Sequence, residues 1–149
     1  MIQWQCKKFN ELTVEELYKI LHLRNEVFVV EQNCPYQDCD GKDAASYHLC
    51  GWHDGELKAY TRILPPGLSY PNAASIGRVV TSPSARGQQL GKQLMTKSLE
   101  QLYRLFGDGT VLIGAQLYLK KFYEAFSFIQ NGEVYLEDGI PHITMEKTG

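Results

Sequence analysis

The residues best suited to bind an anion form a glycine-containing turn between a predicted strand and a predicted helix. Segment 75–106 begins with a β-branched run, is broken by Ser82-Pro83-Ser84, and continues as Arg86-Gly87-Gln88-Gln89-Leu90-Gly91 into apolar residues at helical spacing. The first N–H groups of a helix lack intrahelical partners and lie at the positive end of the helix dipole. Glycine allows a ligand to approach the backbone closely, and Arg86 adds a positive charge. The turn therefore predicts a phosphate site, although the same glycines would also serve an ordinary strand-to-helix connection.

Two common phosphate-binding motifs are excluded at this turn. A P-loop requires Ser or Thr after its Gly-Lys pair, and here Gln93 follows Gly91-Lys92. The dinucleotide-binding pattern Gly-x-Gly-x-x-Gly occurs nowhere in the chain. The sequence therefore favours neither a P-loop nucleotidase nor a Rossmann-type dehydrogenase.

Length and composition indicate one domain over residues 1–149. The chain is 44% hydrophobic and carries a formal net charge of −2, which does not favour nucleic acid as a partner. The sequence has no apolar run of membrane-spanning length and no recognisable signal peptide, so we expect a cytoplasmic protein that does not bind membranes. No pattern indicates the oligomeric state.

Metal binding is not predicted. The four cysteines form no Cys-x-x-Cys pair, and we expect free thiols, with a Cys34–Cys39 disulfide as a conceivable alternative. The acidic loop that contains Asp38, Asp40 and Asp43 lacks the glycine and the glutamate that a calcium-binding EF-hand loop needs at its sixth and twelfth positions.

Hydrophobic periodicity and turn signals predict the element order β-α-β-β-β-α-β-α-β-β. A capping box at Thr13 and Glu16 begins the first helix, which extends to about residue 30, and Asp54-Gly55 marks a hairpin. An apolar run at 111–114 is typical of a buried central strand. This order indicates an α/β domain with a mixed sheet flanked by helices on both faces. The predicted strands are 3–9, 46–52, 57–64, a fourth within 75–81, 111–114, 128–136 and 142–147, and the later helices end at 106 and span 117–126.

Two motifs and the element order resemble the GNAT superfamily of acyl-coenzyme A-dependent N-acetyltransferases. The turn is similar to the pyrophosphate loop of that family, Arg/Gln-x-x-Gly-x-Gly/Ala, with Arg86 and Gly91 matching and Gln89 at a glycine position. Residues 122–128 resemble the motif aromatic-Tyr-Glu-x-x-Gly-Phe, with Ser127 in place of the glycine. Almost the whole chain is similar to the ElaA-like branch, through segments 24–32, 36–40, 76–80 and 137–142.

The resemblance implies that acetyl-coenzyme A binds between the fourth and fifth strands, without a metal. Its pyrophosphate would contact the amides of residues 86–91, and its pantetheine arm would pair with the backbone of residues 79–81, where an N–H would stabilise the developing oxyanion. Position 89 must then have a backbone conformation open to a non-glycine residue. The implied coenzyme-binding residues are Val79, Val80, Thr81, Arg86, Gly87, Gln88, Gln89, Leu90, Gly91, Gln116 and Tyr123.

The resemblance also implies transfer of an acetyl group to a primary amine, either a small molecule or an exposed amino group, by direct attack in a ternary complex. Tyr123 is the candidate acid for the leaving thiolate, and Glu31 and His48 are candidate bases for the amine. Each also has a purely structural interpretation. Tyr123 could be a packed aromatic residue, Glu31 a solvated helix end, and His48 a hydrogen-bonded histidine on a sheet.

The predicted acceptor-binding residues are Phe28, Glu31, Asp38 and Asp40, the last two because an acidic loop attracts a cationic amine. Asp38 and Asp40 could instead belong to a solvated polar rim that does not contact the acceptor. The substitutions at the two family glycines leave open a non-catalytic acyl-coenzyme A-binding module, and an interaction domain without a ligand is a further alternative. No motif identifies the acceptor.

Overall fold

Two antiparallel sheets that separate from each other form the framework of the fold. The computed structural model describes residues 1–87 and 89–148. Within this part of the chain, the α-helices are α1 (Val14–Arg24), α2 (Leu90–Phe106) and α3 (Lys120–Glu124). The strands are β1 (Gln3–Lys8), β2 (Tyr47–His53), β3 (Glu56–Leu64), β4 (Ser75–Thr81), β5 (Val111–Gln116), β6 (Ile129–Gln130), β7 (Tyr135–Glu137) and β8 (Ile140–Lys147).

The two sheets meet at one point and diverge from it. Strands β1 to β4 pair in sequence order, while β5, β6 and β7 all pair with β8. Between the sheets, the described residues form a single parallel bridge from Ala74 to Val111, where the Leu112 N–H donates to the Ala74 carbonyl at 3.1 Å. Beyond this bridge β4 and β5 share no ladder in the described chain, so a gap opens towards their carboxyl ends.

Helices cover both faces of the paired sheets. Helix α2 buries Leu94 and Met95 in one apolar cluster with Ile113 of β5. Helix α1 buries Ile20 in a second cluster with Tyr60 of β3. Burying a side chain of this size contributes about 1.5–3 kcal/mol, so the two helices fix the sheets firmly in place. The predicted α/β domain with helices on both faces is confirmed.

The capping box and the hairpin turn predicted from the sequence both form. The Thr13 hydroxyl accepts a hydrogen bond from the Glu16 N–H at 3.0 Å, and the Glu16 carboxylate accepts one from the Thr13 N–H at 2.9 Å. In the hairpin between β2 and β3, Asp54 and Gly55 both have positive φ, at 49° and 76°. This pair of conformations matches the right-handed twist of the flanking strands. The predicted capping box and hairpin are therefore confirmed.

Several predicted boundaries are wrong. The segment predicted as one strand over 128–136 forms two short strands, β6 and β7, separated by a turn in which Gly132 has φ of 109°. The helix predicted over 117–126 begins as a 3₁₀ turn and is α-helical only in α3. The predicted end of the first helix near residue 30 agrees with the structure, although the helix is π-helical beyond α1, over Asn25–Glu31. Strand β5 is longer than predicted and is not buried on both faces, because Gly114 faces the gap.

Candidate active site

The gap between the sheets opens into a cavity of about 650 Å³. Strand β4 forms one wall, and the opposite wall includes Gly114 and Gln116 of β5 together with Tyr123 of α3. The π-helical segment, a form often found at functional sites, adds Phe28 and Glu31. Four separate parts of the chain thus place predicted site residues around one cavity.

A β-bulge turns part of β4 away from β3. The pairing of the two strands skips one residue, so that Arg78 and Val79 of β4 oppose only Thr61 of β3. Arg78 has φ of 51°, in the left-handed region that non-glycine residues rarely adopt. Arg78 and Val79 line the cavity, as do Val80 and Thr81. Because a bulge leaves backbone groups out of the ladder, this wall has N–H and C=O groups available to a ligand.

The predicted phosphate turn lies at the N-terminus of α2. Gln88 is outside the described residues, and Gln89 precedes the helix with φ of 57° and ψ of 21°. Glycine adopts this left-handed conformation freely, whereas other residues pay about 1–2 kcal/mol. Gln89 therefore keeps the backbone conformation that a glycine would adopt. A shallow depression at this turn is lined by Thr81, Arg86, Gly87, Gln89, Leu90, Gly91, Lys92 and Phe122.

Gly91 borders open space rather than packed protein. A Cβ atom built at this position would approach Phe122 to 3.7 Å, which is an ordinary van der Waals contact. The fold itself therefore tolerates a side chain at position 91. The absence of one leaves room at the helix N-terminus that a phosphate group could use.

Glu31 and Arg86 form an ion pair at the rim of the cavity. The guanidinium donates two hydrogen bonds to the carboxylate, at 2.7 and 2.8 Å, and both side chains are partly exposed. These hydrogen bonds from Arg86 hold the pKa of the Glu31 carboxyl below its usual value. Glu31 is therefore a poor proton acceptor, and Arg86 must loosen this pair to bind a phosphate.

Tyr123 is buried in the cavity wall. Only 5% of the residue is exposed, and its ring packs edge-to-face against Phe122 and Phe128, with centroid distances of 5.1 and 6.1 Å. Burial raises the pKa of the phenol above its usual value, and Tyr118 adds to the effect. The hydroxyl group therefore stays protonated at neutral pH. Tyr123 is thus a packed aromatic residue that also lines the cavity.

The structure corrects the expectation that His48 acts as a base. The residue is 1% exposed and does not line the cavity. Its Nδ1 atom lies 2.6 Å from the Tyr60 hydroxyl, and its Nε2 atom lies 2.9 Å from the Asp43 carbonyl. Burial lowers the pKa of the imidazole, which stays neutral. Both nitrogens are occupied, so His48 is a structural histidine beneath the acidic loop.

The acidic loop is an ion-pair network rather than a free negative patch. Arg24 is completely buried and binds Asp38 at 2.8 Å and Asp43 at 2.7 Å. Arg62 binds Asp40 at 2.7 Å, and Arg78 binds Asp38 at 2.9 Å. The cluster, called here the arginine–aspartate network, contains three residues of each sign: Arg24, Arg62, Arg78, Asp38, Asp40 and Asp43.

The network corrects the expectation that Asp38 and Asp40 attract a cationic acceptor. Asp38 is buried and does not line the cavity, and Asp40 lines it with its carboxylate already bound by Arg62. Burial alone would raise the pKa of Asp40, but the hydrogen bonds and charge of Arg62 lower it overall. Because the opposite charges cancel, this loop has little net field to steer a cation.

The sequence analysis missed one histidine that does line the cavity. His142 of β8 pairs with Gln116 of β5, so both side chains lie on the cavity face of the second sheet. Its Nδ1 atom lies 2.7 Å from the Ile140 carbonyl, and its ring stacks on Tyr135 at 5.9 Å. Glu137 lies 3.6 Å from Nε2. The register of β5 and β8, which sequence patterns did not define, brings these residues together.

The described residues contain no group of three or more His, Cys, Asp and Glu that could hold a metal ion. No helix in that part of the chain is long and apolar enough to cross a membrane. The four cysteines are unpaired, so the alternative of a Cys34–Cys39 disulfide is not realised.

Comparison with known proteins gives consistent similarities over the full chain. A family model described as an acetyltransferase (GNAT) domain matches residues 10–149. Protein ElaA of Escherichia coli strain K12 is 49% identical over 149 residues, which cover 99% of this chain and 97% of that protein. The crystal structure of an acyl-CoA N-acyltransferase from Pseudomonas aeruginosa superposes with a TM-score of 0.95 at 48% identity, covering 99% and 100% of the two chains. An aminoglycoside 6′-N-acetyltransferase in complex with coenzyme A shares the fold, with a TM-score of 0.70 at 18% identity over 97% and 96%.

Proposed function

The chain belongs to the GNAT acetyltransferase family, and from this premise we propose that it transfers an acetyl group from acetyl-coenzyme A to a primary amine. The single observation that carries the proposal is the cavity between β4 and β5. It brings together the β4 bulge and Tyr123. Through Thr81 and Arg86 it adjoins the depression at the N-terminus of α2, so a thioester substrate with a phosphate-bearing tail could extend from one to the other. The confirmed resemblance to the ElaA-like branch supports the same assignment.

The two walls of the cavity would hold different parts of acetyl-coenzyme A. The turn at residues 86–91 would bind the pyrophosphate through backbone N–H groups and Arg86. The edge of β4 that faces the gap, at Val79, Val80 and Thr81, would pair with the pantetheine arm, and the bulge adds the backbone groups of Val79 that are out of the ladder with β3. An N–H of this stretch would stabilise the oxyanion that forms on the thioester carbonyl. Gln116 and Tyr123 would contact the coenzyme from the opposite wall.

Direct attack of the amine divides the chemistry into two proton movements. An alkylamine has a pKa near 10.4 and must lose a proton before it attacks. The thiolate then leaves, and the Tyr123 hydroxyl would donate to it. Full proton transfer from a phenol of pKa about 10 to a thiol of about 8.5 is uphill by about 2 kcal/mol, and burial of Tyr123 increases this difference. Tyr123 would therefore act mainly by hydrogen bonding to the developing thiolate.

The backbone at the two substituted glycine positions argues against a non-catalytic coenzyme-binding module. Gln89 and Ser127 both have positive φ, at 57° and 73°. Both residues thus have the left-handed backbone conformation that glycine adopts freely, so neither substitution forces the local backbone out of the conformation suited to glycine. The substitutions therefore give no structural reason for lost activity.

Release of free thiol from acetyl-coenzyme A, measured across a panel of primary amines, tests the proposed function. We expect thiol release that requires an amine and is matched by formation of its N-acetyl product. A Gly91→Val variant, which the fold tolerates, should lose both turnover and thermal stabilisation by acetyl-coenzyme A, because its side chain would occupy the space left for the phosphate. Stabilisation of the wild-type protein without turnover on any amine would instead support the binding module.

A further inference from the structure

The side of the cavity formed by β7 and β8 contains a second set of reactive groups, on which none of the preceding roles depends. His142 is 8% exposed, Tyr135 stacks on its ring with an interplanar angle of 27°, and Glu137 lies beside it. All three residues line the cavity. Among the described residues that line this cavity, His142 is the only histidine.

Hydrogen bonding fixes the tautomer of His142. The Ile140 carbonyl can only accept, so the Nδ1 atom at 2.7 Å must carry a hydrogen. In the neutral imidazole, Nε2 is then the atom with the free lone pair. The Glu137 Oε2 atom lies 3.6 Å from it, outside hydrogen-bond distance but close enough to stabilise a positive ring. The ring is thus oriented and ready to accept one proton at Nε2.

The other candidate bases are engaged elsewhere. Glu31 is held by two hydrogen bonds from Arg86, and both nitrogens of His48 are occupied away from the cavity. Asp40 is bound to Arg62. We propose that His142 is the general base that deprotonates the acceptor amine, and that Glu137 is a positioning residue that stabilises the protonated ring. This inference rests on the proposed acetyl transfer.

The proton and electron balance of the step is complete. His142 Nε2 takes one proton from the acceptor ammonium, and the neutral nitrogen forms a bond to the thioester carbonyl carbon. The C–S bond then breaks, and its electron pair leaves on sulfur. The nitrogen loses two protons in all. The one taken by His142 passes to water, and the other is balanced by a proton that the sulfur receives from the Tyr123 hydroxyl, which solvent then reprotonates. The products are the amide, free coenzyme A and one proton.

The titratable groups around the His142 ring are consistent with its role as a base. Burial raises the pKa values of Tyr70 and Tyr135, so both phenols stay neutral near pH 7. The Cys34 thiol donates to the Asp138 carbonyl at 3.5 Å. In the described chain, Glu137 is the acidic residue whose carboxylate lies within 4 Å of the His142 ring. The titratable groups on this side of the cavity are therefore Glu137, Asp138, Cys34, Tyr70 and Tyr135.

The pH dependence of kcat/KM distinguishes a base from a packing residue. With any primary amine that turns over, His142→Gln should lower kcat/KM about 100-fold at pH 7, at the low end of general-base contributions. The loss should shrink as the pH approaches 10, because the amine then deprotonates in solution. Glu137→Gln should lower kcat and leave the acceptor KM unchanged, since it removes the charge that stabilises the ring once it has taken the proton. The exposed His22→Gln variant is the matched control and should leave the profile unchanged.

A second measurement does not depend on knowing the acceptor. Long-range ¹H–¹⁵N NMR of the imidazoles, in wild type and His142→Gln, should assign a neutral His142 with hydrogen on Nδ1 and a bare Nε2. A hydrogen on Nε2 in the neutral form, or a His142→Gln profile parallel to that of wild type at every pH, would overturn the proposal. If no amine causes thiol release, the proposed acetyl transfer is refuted as a whole, and the proposed base with it. If the enzyme is active but the neutral His142 carries its hydrogen on Nε2, only the proposed base is refuted.

Discussion

Replacing Asp38 by Asn would show whether the acidic loop stabilises the fold or recognises the acceptor. The Asp38 carboxylate binds Arg24 at 2.8 Å, Arg78 at 2.9 Å and the Tyr36 hydroxyl at 2.9 Å. Asn keeps the shape but removes the charge, leaving the fully buried Arg24 with Asp43 as its remaining carboxylate partner. Removing one partner of a buried ion pair typically costs 3–5 kcal/mol. Because Asp43 remains, we expect the low end, about 3 kcal/mol.

Thermal unfolding followed by circular dichroism gives the readout. For a chain of this size, each kcal/mol shifts Tm by about 2–4 °C, so Asp38→Asn should lower Tm by about 10 °C. The exposed Asp54→Asn variant, in the hairpin, is the control and should change Tm by no more than about 2 °C. Well below Tm, the acceptor KM of Asp38→Asn should match that of wild type. A Tm within about 3 °C of wild type together with a raised acceptor KM would refute the argument and return Asp38 to acceptor recognition.

Three further outcomes follow from the same contacts. Glu31→Gln should tighten acetyl-coenzyme A binding severalfold, as measured by calorimetry, because Arg86 is released to bind the phosphates. The exposed control Glu133→Gln should leave the affinity unchanged. Weaker binding by Glu31→Gln would contradict this prediction. Gln89→Gly should raise Tm by about 1–3 °C, since relief of the left-handed strain exceeds the added chain entropy; a lower Tm would show that the Gln89 side chain stabilises the turn. The pKa values of Asp40 and Asp43 lie below their usual range, so the network stabilises the fold above about pH 4. Tm should therefore fall as the pH drops below that value. A Tm that stays constant down to about pH 3 would contradict the ion pairing.

Local signals in the sequence predicted the parts of the fold that depend on neighbouring residues. The capping box at Thr13 and the Asp54-Gly55 hairpin satisfy their hydrogen bonds within a few residues, so their patterns are visible in the sequence itself. The turn before α2 was predicted for the same reason. The break between β6 and β7 was missed because the apolar residues on either side were interpreted as one strand, although the Asn131-Gly132 pair between them is a turn signal.

Contacts between distant segments account for what the sequence did not reveal. Arg24 is the last residue of α1, and its partners Asp38 and Asp43 lie 14 and 19 residues further along the chain. No periodicity predicts that pairing. His142 likewise faces the cavity because β8 pairs with β5 in one particular register. The polar residues of this site are positioned by tertiary pairing, and their roles could only be assigned once the strands were in place.

The Tyr123→Phe variant, assayed for kcat, tests the central claim most directly. The substitution removes only the hydroxyl group and keeps the ring that packs against Phe122 and Phe128. If acetyl transfer takes place in this cavity with Tyr123 assisting the thiolate, kcat should fall about 100-fold while acetyl-coenzyme A binding and Tm stay unchanged. A kcat within about twofold of wild type, with the chemical step shown to be rate-limiting, would contradict the account and leave Tyr123 as a packing residue.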